Sequence, residues 1–150
     1  MIEAIAGGYE IDDALARVDF DTVARWLTAT YWSPGIQKPE VVRGARNSTI
    51  VVGAYRESAQ TGYLRLVSDK TRFAFFMDVY VDEAHRGKGV AKSMMKFAMN
   101  HPLLPHVYLW MLGTQDAQGL YSKFGFVPIP EPQNWMMRLN RPDWSIRAVE

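Results

Sequence analysis

A chain of 150 residues with a formal net charge of +1, 48% hydrophobic and 22% charged residues reads as one globular domain spanning 1–150, long enough to bury a substantial core. Near-neutral charge without an arginine-rich tract argues against a nucleic-acid partner, and the absence of cysteine removes disulfides, thiolate metal sites and a cysteine nucleophile together. No apolar run reaches the length of a membrane span, and the opening MIEAIAGGYEIDD has no basic region before an apolar one, so the expected compartment is the cytoplasm, with no membrane partner.

In chain order, 9–12 is predicted as a short first strand. Asp19 or Asp21 caps a helix running to about Thr30, with Val23, Trp26 and Leu27 on one face. Ser33-Pro34-Gly35 ends it, and Pro39 suits the first turn of a second helix over 40–46. Segments 49–56 and 61–68 alternate as the arms of a hairpin about Ser58-Ala59-Gln60. Aromatic and β-branched residues mark 73–82 as the central strand. The helix predicted over 89–100 buries Val90, Met94 and Phe97, with Ala91, Met95 and Ala98 beside them. A buried strand at 107–113 leads to a helix over 117–124 that Gly125 closes. Segments 126–129 and 135–139 are expected to finish as an antiparallel pair, with Trp144 anchoring the tail after Asn140. The class is mixed α/β (α+β).

Between the central strand and its helix stands Arg86-Gly87-Lys88-Gly89. A glycine-rich basic turn feeding a helix N-terminus suits phosphate, because backbone amides there have no intrahelical partner and the helix dipole adds partial positive charge. A Walker loop fails, since Gly89 follows Lys88 where Ser or Thr is needed. The dinucleotide fingerprint fails too, with Lys92 at its third glycine. What remains is [Q/R]-x-x-G-x-[G/A], met by Arg86, Gly89 and Ala91. Taken alone, the turn also reads as an ordinary helix start with a basic first turn.

With the strand VYV before it, this pattern resembles the coenzyme A pyrophosphate loop of the GNAT superfamily of acyl-CoA N-acyltransferases. Asp116 and the run AQGLYSKFGF after it resemble the family's later motif, A-x-x-L-Y-x-K-x-G-F. Two motifs in the family's order and spacing carry the resemblance over 63–139. One departure is Thr114, where an Asn is common.

The resemblance implies a mixed, mostly antiparallel, splayed sheet flanked by helices, with acetyl-CoA as co-substrate and no metal. Strands 73–82 and 107–113 would separate, and pantetheine would enter the gap against the backbone of Val79, Tyr80 and Val81. Arg86, Gly87, Lys88, Gly89, Val90 and Ala91 would hold the diphosphate, and Thr114 would bond a backbone group or the pantetheine arm. A backbone amide near Val79 would meet the developing oxyanion. Tyr121 takes the place of the family's tyrosine acid and would hydrogen-bond the leaving sulfur; a helical Tyr beside Leu120 also suits a core.

Asp78 is the only carboxylate within the apolar strand, on the face of Phe76 and Tyr80 by alternation. It is a candidate base acting through water, or a bond to a neighbouring loop. Asp116 reads as its helix's cap, Asp69 as a turn residue and His101 as a helix C-terminal residue; His85, His101 and His106 have no metal-ligand spacing. For the acceptor, the family's loops correspond here to Tyr31, Trp32 and Gln37, then to Glu131, Asn134 and Trp135. Aromatic walls with a carboxylate suit a cationic amine.

The expected function is therefore acetyl transfer from acetyl-CoA to the primary amine of a small molecule, directly, in a ternary complex. A protein lysine or N-terminal amine is the rival acceptor. A coenzyme A-binding module without catalysis is the rival class, and an acetyltransferase acting on aminoacyl-tRNA finds no support in the charge. Homodimers are common in the family, often through the late strands, and nothing in these residues fixes one.

Overall fold

The computed structural model describes residues 1–140, so the expectation for Trp144 lies outside the described residues. A six-stranded sheet runs in chain order: β1 (Ile2–Ile5), β2 (Tyr9–Asp12), β3 (Ile50–Arg56), β4 (Ala59–Ser68), β5 (Phe73–Val81) and β6 (Leu109–Met111). Neighbours are antiparallel except β5 and β6, which are parallel. Four helices flank it: α1 (Phe20–Thr28), α2 (Lys38–Arg46), α3 (Val90–Met99) and α4 (Gln118–Ser122).

Strand alternation sends apolar side chains to both faces. On one, Val52, Leu64, Leu66, Ala74 and Phe76 pack against Val90, Met94, Met95 and Ala98 of α3. On the other, Val51 and Tyr63 meet Val23, Trp26 and Leu27 of α1 and Val41 and Ala45 of α2. The mostly antiparallel, splayed architecture expected from the resemblance is the one observed. Asp19 caps α1 as expected, accepting from the amides of Asp21 and Thr22 at 3.1 Å. The β3–β4 turn sits one position earlier than predicted, at Glu57 and Ser58, both left-handed (φ 49° and 70°) as a two-residue hairpin turn requires.

Other expectations are corrected. β1 was not foreseen: it is a short, mostly exposed edge strand whose residues carry no clear alternation. β6 is confined to Leu109–Met111 and α4 to Gln118–Ser122. The final strand pair does not form: 126–129 and 135–139 join no ladder, and only a 3-10 turn, Pro132–Asn134, is regular. Pro128 removes an amide that the first of these segments would donate, and Pro130 and Pro132 restrict the connection between the two.

Two features of β5 shape what lies beside it. β6 pairs only with Phe73, Ala74 and Phe75, so β5 continues from Phe76 to Val81 with that edge unpaired. The second is a bulge: the register passes from Arg65↔Met77 to Tyr63↔Tyr80, one residue on β4 (Leu64) against two on β5 (Asp78 and Val79). The extra residue is Asp78, held left-handed at φ 57°. This corrects the alternation argument. Phe76 points to the α3 core, whereas Asp78 joins Arg65, and Tyr80 packs toward α1. Arg65 Nε donates to Asp78 Oδ2 at 2.6 Å, with the two side chains only 16% and 7% exposed.

Removing one member of a buried pair strands the other charge. Arg65→Met is therefore expected to lower the free energy of unfolding by about 3 kcal/mol, measured by urea denaturation, with Arg65→Lys losing less.

Candidate active site

The free edge of β5 forms the floor of a cleft of about 860 Å³ between the α1–α2 loop, the turn before α3, and α4. Val79, Tyr80 and Val81 line it. Each unpaired N–H and C=O along this edge needs a partner, and a ligand's amides can supply one.

The start of α3 forms one wall. Asp19 caps α1, and α2 opens on a capping box in which the Gln37 amide donates to Glu40 Oε2 at 3.0 Å. By contrast, α3 begins at Gly89, left-handed at φ 79°, with no side-chain cap. The first intrahelical bond is Ser93 N–H to Gly89 O, at 3.0 Å. The amides of Val90, Ala91 and Lys92 precede it, and this end of the helix is open to an anion. Gly87, Gly89, Val90 and Ala91 all line the cleft.

The charged groups are arranged less simply than the motif suggested. Arg86 folds back: its Nε donates to the Val81 carbonyl at 2.9 Å and its guanidinium lies 5.3 Å from the Tyr80 ring centroid. Trp26 stacks on Tyr80 from α1, with centroids 5.2 Å apart and planes at 26°. Lys88 points away from the cleft, its Nζ donating to Ala84 O at 3.3 Å. Lys92 and Lys123 line the cleft instead, with His85, whose Nδ1 shares a 2.8 Å hydrogen bond with the Tyr9 hydroxyl. Sequence reasoning passed over these three. The one available signal was Lys92's place in the first turn of α3.

Tyr121, on α4, is 7% exposed and lines the same cleft. Burial is the main cause that pushes its pKa up to about 12, with Tyr31 and Asp116 adding to it. It is a proton-bearing donor throughout the neutral range.

Thr114 does not line the cleft. Its Oγ1 accepts from the amides of Asp116 and Ala117 at 3.3 and 3.0 Å and holds the turn before α4; Asp116 does not cap that helix, whose start has no side-chain cap. Asp78 is likewise off the lining, its carboxylate engaged by Arg65. Asp69 is the turn residue expected, accepting from the amides of Thr71, Arg72 and Phe73, which together hold its carboxyl below its ordinary value. His101 follows α3, but its partner is distant in sequence: Nε2 lies 2.8 Å from Asp13 Oδ2. Of the acceptor-loop residues, Tyr31 and Trp32 line the cleft; Gln37 serves the α2 box, and Glu131, Asn134 and Trp135 lie elsewhere. Among the described residues no helix is long and apolar enough to cross a membrane. None of their His, Cys, Asp and Glu side chains form a group of three or more placed to hold a metal ion.

A family model described as the acetyltransferase (GNAT) domain matches residues 47–128. An assigned acetyltransferase of the GNAT family from Xanthomonas campestris pv. campestris is 32% identical, with a TM-score of 0.85 over 91% of this chain and 96% of its own. Glucosamine-6-phosphate N-acetyltransferase from Arabidopsis thaliana shares the fold at 16% identity, with a TM-score of 0.63 over 89% of this chain and 99% of its own. An assigned acetyltransferase from Gibberella zeae is 27% identical over 132 residues, 75% of this chain and 73% of its own.

The left-handed start of α3 yields a direct test. Nothing lies within 4 Å of a Cβ built on Gly89, so Gly89→Ala meets no clash, but a left-handed non-glycine residue costs about 1–2 kcal/mol. Calorimetric affinity for coenzyme A is expected to fall roughly tenfold as the turn relaxes out of shape.

Proposed function

This chain belongs to the GNAT family of acetyltransferases, and from that premise we propose that it moves an acetyl group from acetyl-CoA to the primary amine of a small molecule, directly, in a ternary complex. As a family member it is an acyltransferase. One observation carries the finer reading: the uncapped start of α3, the free edge of β5 and Tyr121 all line one cleft. The chain works as a single domain in the cytoplasm.

The amides of Val90, Ala91 and Lys92 receive the diphosphate, with the charge of Arg86 and Lys92 around it. Lys88 adds only a more distant charge. The edge from Val79 to Val81 pairs with the pantetheine amides as a further strand would, which aims the thioester along β5 toward Tyr121. Acetyl-CoA supplies the activated acyl group, and a backbone amide near Val79 stabilises the oxyanion as the amine adds.

The nucleophile must be neutral, and an alkyl ammonium with a pKa near 10.4 is neutral in only about one molecule in two thousand at pH 7. The amine therefore loses its first proton to solvent. Asp78, locked to Arg65 away from the cleft, fits a structural role better than that of base. As the C–N bond forms and the C–S bond breaks, Tyr121 donates a hydrogen bond to the departing sulfur. Because the Tyr121 pKa of about 12 lies above a thiol's roughly 8.5, full transfer from an isolated phenol would be uphill. Tyr121 passes its proton to the thiolate as the adding nitrogen's proton returns through water to the phenol oxygen, so thiol, amide and neutral Tyr121 result together. Without cysteine no thioester enzyme intermediate can form, which favours the ternary route.

A thiol-release assay over amino acids, polyamines, aminoglycosides, arylamines and peptides tests the reaction; tight acetyl-CoA binding with no transfer to any of them would leave a non-catalytic binding module. Tyr121→Phe is expected to lower kcat at least about tenfold while the KM for acetyl-CoA stays nearly constant. A group whose pKa is raised keeps its proton to higher pH. Hence kcat/KM should climb with pH as the amine deprotonates and show no falling limb from Tyr121 up to about pH 10. Turnover by the Phe variant within about a factor of two of the parent removes the donor role.

A further inference from the structure

One contact at the cleft joins segments far apart in the chain. The Gln115 amide, in the loop before α4, donates to the Tyr31 hydroxyl at 2.8 Å. Tyr31 belongs to the α1–α2 loop, and its ring meets that of Trp32 edge-on at 4.9 Å. This clasp ties the two walls together over the aromatic floor made by Trp26 and Tyr80. Because the Tyr31 oxygen accepts from Gln115, its own O–H remains free to donate.

Beside the clasp stands Asp116. The start of α4 has no side-chain cap, and the Asp116 carboxylate makes no hydrogen bond or ion pair among the described residues. Among them it is also the sole carboxylate on the cleft's lining. The lining's cations lie apart from it: Arg86 and Lys92 at the α3 turn, and Lys123 at the opposite end of α4. The site thus separates a positive end, suited to a diphosphate, from one negative group beside aromatic walls.

Resting on the acetyl-transfer reading above, we infer that Asp116 receives the acceptor's ammonium group, and that the Tyr31–Gln115 clasp confines the acceptor to a small amine with a compact apolar or aromatic body. The ammonium docks on the carboxylate while the body lies against Trp26, Tyr31 and Trp32. One N–H proton then passes to water, and the free amine turns to the thioester carbonyl carbon. A lysine within a polypeptide needs an open groove for the chain on either side, and a hydrogen bond tying the two loops together stands against that arrangement.

The test uses the full chain with acetyl-CoA and three acceptors: 2-phenylethylamine, cationic at pH 7; aniline, neutral at pH 7; and a short lysine peptide. Expected are turnover with 2-phenylethylamine and little with the peptide. Asp116→Asn should raise the KM for 2-phenylethylamine roughly tenfold with kcat little changed, and Asp116→Glu should restore most of it. The same Asn variant should leave any aniline turnover, the KM for acetyl-CoA and the calorimetric affinity for coenzyme A unmoved. An unaltered KM for 2-phenylethylamine in Asp116→Asn overturns the assignment, as does an equal rise for aniline. Preference for the peptide, or no transfer to 2-phenylethylamine by a protein that binds coenzyme A, overturns the acceptor class. If the parent chain fails to bind coenzyme A at all, the acetyl-transfer reading falls first, and the calorimetry tells the two failures apart.

Discussion

Where Gly89 leads into α3, three successive amides have no side chain to cap them, and from Phe76 to Val81 one edge of β5 has no strand beside it. Unpaired backbone groups are costly when shut away from water, so proteins rarely leave a row of them facing inward without a purpose. Here they face an open cleft, where water satisfies them until a ligand does. The other two long helices have capped starts, which makes the bare end of α3 a local choice rather than a general feature of the fold. A glycine there supplies the left-handed turn and keeps the approach clear of side chains.

The bulge in β5 gives that cleft its walls. One inserted residue puts Asp78 against Arg65 beneath α2 and leaves Tyr80 against Trp26 on the same face. Tyr80 is then covered by Trp26 on one side and approached by the Arg86 guanidinium. A ladder of stacked groups thus runs from the phosphate turn to α1. The carboxylate that sequence order places closest to the cleft is neutralised away from it. The free carboxylate comes from a segment that looked structural.

Local chemistry was legible where neighbours in sequence decide it. Asp19 caps α1, the period of Val90, Met94 and Phe97 lays α3 on the sheet, and Gly87 and Gly89 mark the turn; each depends on residues within a few positions of one another. The two family motifs carried the order of elements and the place of Tyr121 in the same way. Alternation failed at Asp78 because a bulge shifts the side-chain period by one, and no residue type announces it. The final strands failed because apolar content alone does not make a ladder: Pro128 interrupts the first, and Pro130 and Pro132 restrict the connection to the second. Asp116 failed as a cap because Thr114 Oγ1 takes the amides of the turn before α4, and only tertiary placement decides which side chain reaches them.

By itself, then, the sequence determined the class of fold, the glycine turn before α3 and the presence of a tyrosine at the second motif, because these rest on short-range backbone preferences and on residues adjacent in the chain. Tertiary structure alone decided which charges face the cleft. Arg65 meets Asp78 from the neighbouring strand, Tyr31 reaches Gln115 across 84 positions, and Lys88 turns outward while Lys92 turns in. Such pairings follow from strand register and loop packing, which long-range contacts set and local sequence does not encode.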